Sequence, residues 1–347
     1  MVSALLVLSF LIFFHELGHF IMAKLVGVKV EVFSIGFGKK LLCKQVGNTK
    51  WCLSAVPLGG YVQMKGQDDS NPFLKNSDPD SYNSKSPWQR ILILLGGPGF
   101  NFLLAFLIYL FIALSGWSKL APVIGKVLPD TPAAKVFKPN DKIIQINSRI
   151  VKTWEDIPKL IQQYDKLNIK IKRNSKILSF TIVPKTEINK NVFNETVKRK
   201  ILGIIPSGQI ITVKYPLSDA FNVAWNKFLF DSSLIIKGVQ KLLTGAAGLN
   251  TLSGPIGIVD VTAKVASYGI APLLLLTALL SVNLGILNLL PIPALDGGHI
   301  IFNLYEAVFK KEVSEEIMIK LTIGGWVLLG GLMLVGVYND LHRLITG

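Results

Sequence analysis

Apolar residues run almost unbroken at four places in the chain, and polar residues collect between them. A helix needs about 20 apolar residues to cross a bilayer, so each run predicts a transmembrane helix. The four cover residues 1–23, 91–117, 272–302 and 321–340. The second holds no charged residue, and the fourth is rich in glycine. The third is apolar over Pro272–Leu290 and is then broken by Pro291 and Pro293. No Lys or Arg precedes the first run and no small-residue cleavage site follows it, so it reads as a retained span rather than a signal peptide.

The intervening segments have other periods. In 24–90, Val28–Phe37 and Trp51–Met64 are β-rich and punctuated by Gly36, Gly38, Gly59 and Gly60. They predict β-strands. Asp68–Ser86 is polar and reads as a loose loop. Residues 121–185 alternate short apolar strands with helical stretches and predict a small α/β domain. Residues 216–245 predict an amphipathic helix, with Lys227, Lys237 and Lys241 off the apolar face. It suits a membrane surface, or packing on a neighbouring element. The expected fold class is an α-helical membrane protein with four transmembrane helices, a membrane-associated β-element and one inserted small α/β domain.

Composition agrees. Of 347 residues, 17% are charged and 50% hydrophobic, with a mean hydropathy of +0.46. Soluble domains run about 25% charged, so the chain is too apolar for an ordinary soluble enzyme and too charged for spans alone. Four spans put both termini on one side. The loops at 24–90 and 303–320, with ten and three Lys/Arg, share the other, which the positive-inside rule makes cytoplasmic. The loop at 118–270 holds 23 Lys/Arg against 10 Asp/Glu, and a long loop crosses regardless of charge. Most of the net +15 therefore lies on the extracytoplasmic side. It predicts attraction to membrane lipid headgroups and no nucleic-acid partner. Cys43 and Cys52 lack Cys-x-x-Cys spacing and are expected as free thiols on the reducing side.

The chemistry begins at His15-Glu16-Leu17-Gly18-His19, an H-E-x-x-H pattern inside the first apolar run. Histidines four apart share a helix face and can grip one metal ion, while the glutamate reaches a water there. Ionisable residues inside a membrane point to function because leaving them unpaired is costly. A catalytic zinc site wants a third protein ligand. Asp296 is the only acidic residue between Asp260 and Glu306, and it follows the Pro291/Pro293 break. Broken helix at membrane depth must be buried or line a cavity. The alternative for Asp296 is the N-cap of the next helix.

Phe13-Phe14-His15-Glu16-Leu17-Gly18-His19-Phe20, together with the run from Ser281 to Gly298 that holds Asn283, Asn288, Pro291, Pro293 and Asp296, resembles the two motifs of bacterial site-2 proteases. These are membrane-embedded zinc metalloproteases of the type that regulates sigma-E. Pro57-Leu58-Gly59-Gly60-Tyr61-Val62 resembles that family's membrane-associated β-element, Gly97-Pro98 with Asn101 its second span, and Ser253-Gly254-Pro255-Ile256 the stretch before its third. The resemblance implies one zinc ion held by His15, His19 and Asp296, with Glu16 as general base. It implies substrate contact by Asn283, Asn288, Pro291, Gly59, Gly60, Tyr61 and Val62, with Asn288 as a candidate for the oxyanion. The 121–185 domain resembles a PDZ domain through the run from Pro132 to Asn147, with Asn140 and the following Ser148 standing where Gly is usual. The PDZ-like domain would bind a peptide or C-terminus, or filter bulky substrates.

The expected activity is cleavage of single-pass transmembrane substrates in regulated intramembrane proteolysis, with anti-sigma factors or remnant signal peptides as the family's substrates. The expected place is the bacterial cytoplasmic (inner) membrane, with both termini and the PDZ-like domain outside. Other readings are a membrane-anchored peptidase with a soluble active site, and a non-proteolytic PDZ scaffold or transporter.

Overall fold

A run of apolar side chains with no competing charge favours a helix, which satisfies its own backbone polar groups. In the computed structural model, which describes residues 2–67, 77–190 and 196–346, four helices are long and apolar enough to cross a membrane: Val2–Leu25 (α1), Pro87–Ser115 (α2), Ile270–Asn288 (α6) and Glu315–Thr346 (α8). Between α2 and α6 lie Asp156–Gln163 (α3), Leu217–Leu243 (α4) and Pro255–Ser267 (α5). Asp296–Phe309 (α7) follows α6. The chain divides into two compact units, Met1–Phe111 with Phe221–Gly347, and Ile112–Ala220.

In the first unit, α1 and α2 meet through glycine. A Cβ on Gly18 would sit 2.1 Å from the Gly96 carbonyl oxygen, so any side chain there would force the helices apart. The Ser281 hydroxyl of α6 donates to the Asn101 carbonyl of α2 at 2.7 Å. Arg90 of α2 pairs with Glu306 of α7 at 2.5 Å, both largely shielded. Along α4, Phe221 and Trp225 pack on Phe106, and Phe228 packs on Phe102. Buried Asp231 accepts from the Tyr109 hydroxyl and pairs with Lys227 at 2.6 Å. The apolar face of α4 thus lies on α2. Near the far end of α8, buried Asp340 accepts the Gly257 N–H of α5 at 2.8 Å.

The β-element is Val30–Val46 (β1) and Thr49–Met64 (β2). Both strands bend. Phe33 pairs with Val62 and with Trp51, and Trp51 pairs with Lys44. The spatial order is therefore 37–46, 49–56, 30–35, 59–64. Gly36 makes the bend possible: its φ is +91°, and a Cβ there would lie 2.9 Å from two carbonyl oxygens. Among the described residues nothing pairs with the outer edge of Gly60–Gln63. Beyond the strand, Lys65 binds Asp78 at 2.8 Å and Asp80 at 2.6 Å, which raises its pKa and lowers that of Asp80. Of the expected loose loop, 68–76 lies outside the described residues.

The free-thiol reading of Cys43 and Cys52 is corrected here. The two form a disulfide. Val46 pairs with Thr49 across Gly47-Asn48, and the same register sets Cys43 opposite Cys52. Directly opposed residues of an antiparallel pair point their side chains to one face.

The second unit is built on the antiparallel sheet Arg149–Ile150 (β6), Lys142–Ile146 (β5), Leu167–Arg173 (β7) and Lys176–Ile182 (β8), in that order. Its buried core includes Ile143, Ile146, Ile157, Leu167, Ile169 and Ile171. Trp117–Leu120 (β3) pairs with Ile210–Val213 (β12), and Ile124–Val127 (β4) with Ile204–Pro206 (β11). Lys185–Lys190 (β9) pairs with Thr196–Ile201 (β10). The unit outruns the expected 121–185 because Leu202 joins its core. Asn140 and Ser148 adopt φ of +68° and +66°, the left-handed turns that glycine would otherwise supply. Buried Asp141 holds Arg173 at 2.7 Å.

Candidate metal centre and active site

The i, i+4 spacing on α1 sets His15 and His19 on one face, with their Nε2 atoms 3.2 Å apart. The partner elements then hold each ring. His19 Nδ1 lies 2.9 Å from the Ile93 carbonyl of α2. His15 Nδ1 lies 3.0 Å from the side-chain nitrogen of Asn101, also on α2. Gly97 faces both rings: a Cβ there would sit 2.4 Å from His19 Nε2 and 2.7 Å from His15 Cε1.

Asp296 arrives from the other motif. Helix α6 ends at Asn288, the chain turns through Pro291 and Pro293, and α7 starts at Asp296. A carboxylate in the first turn of a helix is favoured by the helix dipole. Asp296 is not the N-cap, a position taken by Leu295. Its carboxylate turns to the histidines, Oδ2 at 3.4 Å from His15 Nε2 and Oδ1 at 3.5 Å from His19 Nε2.

Three ligand atoms, one from each residue, lie within 4.8 Å of one another. Zinc bonds of about 2.0–2.2 Å in tetrahedral array put ligand atoms about 3.3–3.6 Å apart. The two Nε2 atoms, 3.2 Å apart, come close to that spacing, and the carboxylate reaches one ring with each of its oxygens, at 3.4 and 3.5 Å. Asp296 Oδ2 is also buried with no hydrogen-bond partner, as expected of an atom whose partner is a cation. The donor set of two imidazoles and a carboxylate suits zinc. Among the described residues this is the one such cluster. His299 packs on Phe302 and His342 on Tyr338, both outside it.

Glu16 follows His15 on α1 and meets the β-element. A Cβ on Gly60 would be 3.2 Å from Glu16 Cγ. The glutamate therefore lies over Gly60 on the face of β2, and the unpaired edge of the strand continues through Tyr61 and Val62. Gly59 sits under the Phe37 ring. Asn283 and Asn288 are half-buried on α6, with side chains that make no hydrogen bond among the described residues. Pro291 is exposed in the break.

Sequence reasoning noted Gly97 and Asn101 only as a resemblance and gave them no part in the site. A signal was present. Asn101 is the only amide in an apolar run of 27 residues, and Gly96-Gly97 permits close approach of another helix.

Two imidazoles and a carboxylate that could hold a metal ion, beside a glutamate, are groups that a metal-dependent hydrolase uses. Comparison with known proteins narrows this. A profile described as peptidase family M50 matches residues 3–332. A Campylobacter jejuni protein, provisionally named a zinc metalloprotease, is 46% identical over 99% of this chain and 93% of its own. A Helicobacter pylori protein of the same provisional name is 42% identical over 99% of both chains. The chain belongs to peptidase family M50, the site-2 protease family, and is a metalloprotease by descent. A crystal structure of a PDZ domain from a Listeria innocua SdrC-like protein is similar to 26% of the chain and 96% of its own length, at 23% identity and a TM-score of 0.22.

Proposed function

We propose that this protein is an intramembrane zinc protease that hydrolyses peptide bonds within or beside transmembrane segments. The observation that carries this reading is the meeting of His15 and His19, on a helix apolar enough to span a bilayer, with Asp296 at the break that follows a second such helix. The three would hold one zinc ion. Bound zinc supplies Lewis-acid polarisation of the scissile carbonyl and acidifies water. Glu16 accepts the proton of the attacking water and returns it to the leaving amine nitrogen.

A helical substrate hides its carbonyls in hydrogen bonds and must be drawn out. The free edge at Gly60–Gln63, beside Glu16, suits strand addition, which would hold the substrate extended. The uncommitted amides of Asn283 and Asn288, with Pro291 in the break, form the substrate-facing part of α6, and Asn288 is the candidate for the oxyanion. The PDZ-like unit would bind a peptide or C-terminus, or exclude untrimmed substrates. The proposed setting is the bacterial inner membrane, both termini and this unit outside, with single-pass substrates such as anti-sigma factors or remnant signal peptides. A PDZ scaffold or transporter would need neither zinc nor Glu16.

The test is metal removal. Stripping zinc from the full chain in lipid should lower cleavage of a membrane-spanning reporter at least a hundredfold, and one equivalent of zinc should restore it. Undiminished cleavage by metal-free protein would refute the reading.

Strand addition has its own test. Proline removes a backbone donor, and adjacent N–H groups of a strand point to opposite edges. One of Tyr61→Pro and Val62→Pro therefore blanks a donor on the free edge. That variant should cleave the reporter about tenfold more slowly with zinc retained. If neither changes cleavage, substrate does not pair there.

A further inference from the structure

We infer that Asn101 is a positioning residue for His15: its side-chain oxygen accepts the Nδ1 proton and so holds Nε2 toward the metal. The inference rests on the reading of His15, His19 and Asp296 as zinc ligands and assigns a role to a residue outside that set.

Asn101 is fully buried on α2, and its amide is the only hydrogen-bonding partner of His15 Nδ1 among the described residues. A histidine that ligates through Nε2 keeps its proton on Nδ1, so that nitrogen needs an acceptor. With the Asn101 nitrogen facing it, two donors would oppose each other at 3.0 Å while Asn101 Oδ1 stays buried with no partner. The two ends of an amide differ by a half-turn that preserves its shape. Turned so, the oxygen takes the Nδ1 proton, and a mismatch becomes a matched pair.

The surrounding structure fits this role. The Asn101 backbone is fixed from the opposite side, where the Ser281 hydroxyl of α6 donates to its carbonyl at 2.7 Å. The second histidine has the same arrangement by other means, with His19 Nδ1 at 2.9 Å from the Ile93 carbonyl. One helix, α2, thus supplies an acceptor to each ring, and both Nε2 atoms are left facing each other and Asp296. Ser281 ties that helix to α6, which leads into the Asp296 turn. Asn101 therefore links the two halves of the site.

The experiment measures zinc affinity, by chelator competition on the purified full chain in lipid with zinc alone as the probe. Wild-type protein should bind one zinc. Asn101→Leu keeps the branched shape and removes the acceptor, and should bind zinc about 10–100-fold more weakly. Asn101→Asp keeps an acceptor and should bind at least as tightly as wild type, with reporter cleavage retained. Wild-type affinity in folded Asn101→Leu would overturn the inference. So would a tenfold loss in Asn101→Asp, because the acceptor is still present. If Asn101→Leu does not fold, the aspartate variant decides. Absence of zinc binding by wild-type protein would instead strike the ligand reading itself.

Discussion

Replacing Glu16 with Gln should reduce reporter cleavage by about 10²–10⁴-fold, the range that a positioned general base supplies, while zinc content stays at the wild-type value. Glutamine keeps the volume and the hydrogen-bonding reach of glutamate but cannot take a proton at neutral pH. The ligand set of His15, His19 and Asp296 is untouched by the change. Packing against Gly60 should hold too, because that glycine meets the Cγ that both side chains share. The paired readout matters. Loss of cleavage together with zinc would mean that the substitution had damaged the site as a whole. Full cleavage by the Gln variant would end the enzyme reading and favour a scaffold or transporter.

The elements that carry this chemistry were legible because membrane and metal both constrain sequence severely. The apolar runs announced α1, α2, α6 and α8, and H-E-x-x-H with the proline break before Asp296 announced the cluster of His15, His19 and Asp296. The β-element was half legible. Alternation exposed its apolar pieces, but Lys39, Lys40, Lys44 and Gln45 hid the arm of β1 that faces away from the buried segment. With that arm unread, the register was unread, and so the Cys43–Cys52 pair was missed. Gly47-Asn48, midway between the cysteines, was the signal: a two-residue hairpin centred there sets 43 against 52. The second unit ran past its expected end for a related reason. Leu202 and β11 join it through partners far earlier in the chain, Ile204 pairing with Val127, and no local period records that.

Contacts between helices were least legible, and they set the other large expectation. Gly97→Ala should weaken zinc binding at least a hundredfold and take cleavage with it, whereas Gly99→Ala, two residues on, should leave both unchanged. The added methyl at 97 would lie 2.4 Å from His19 Nε2 and 2.7 Å from His15 Cε1, well inside contact distance. The rings cannot simply recede. His19 is held to the Ile93 carbonyl and His15 to Asn101, both on the helix that carries the intruding methyl. If α1 moved off instead, it would give up the close packing of Gly18 on the Gly96 backbone. Either way the strain falls on the distances among Nε2, Nε2 and the Asp296 carboxylate, which set the metal site. At Gly99 a Cβ meets nothing within 4 Å, and alanine is the better helix former by about 1 kcal/mol. The pair separates a steric effect at the metal from a general intolerance of α2 to substitution. If Gly97→Ala bound zinc as wild type does, the close approach of α2 to the histidines would be refuted. If Gly99→Ala were equally damaging, the loss would belong to the helix and not to the site.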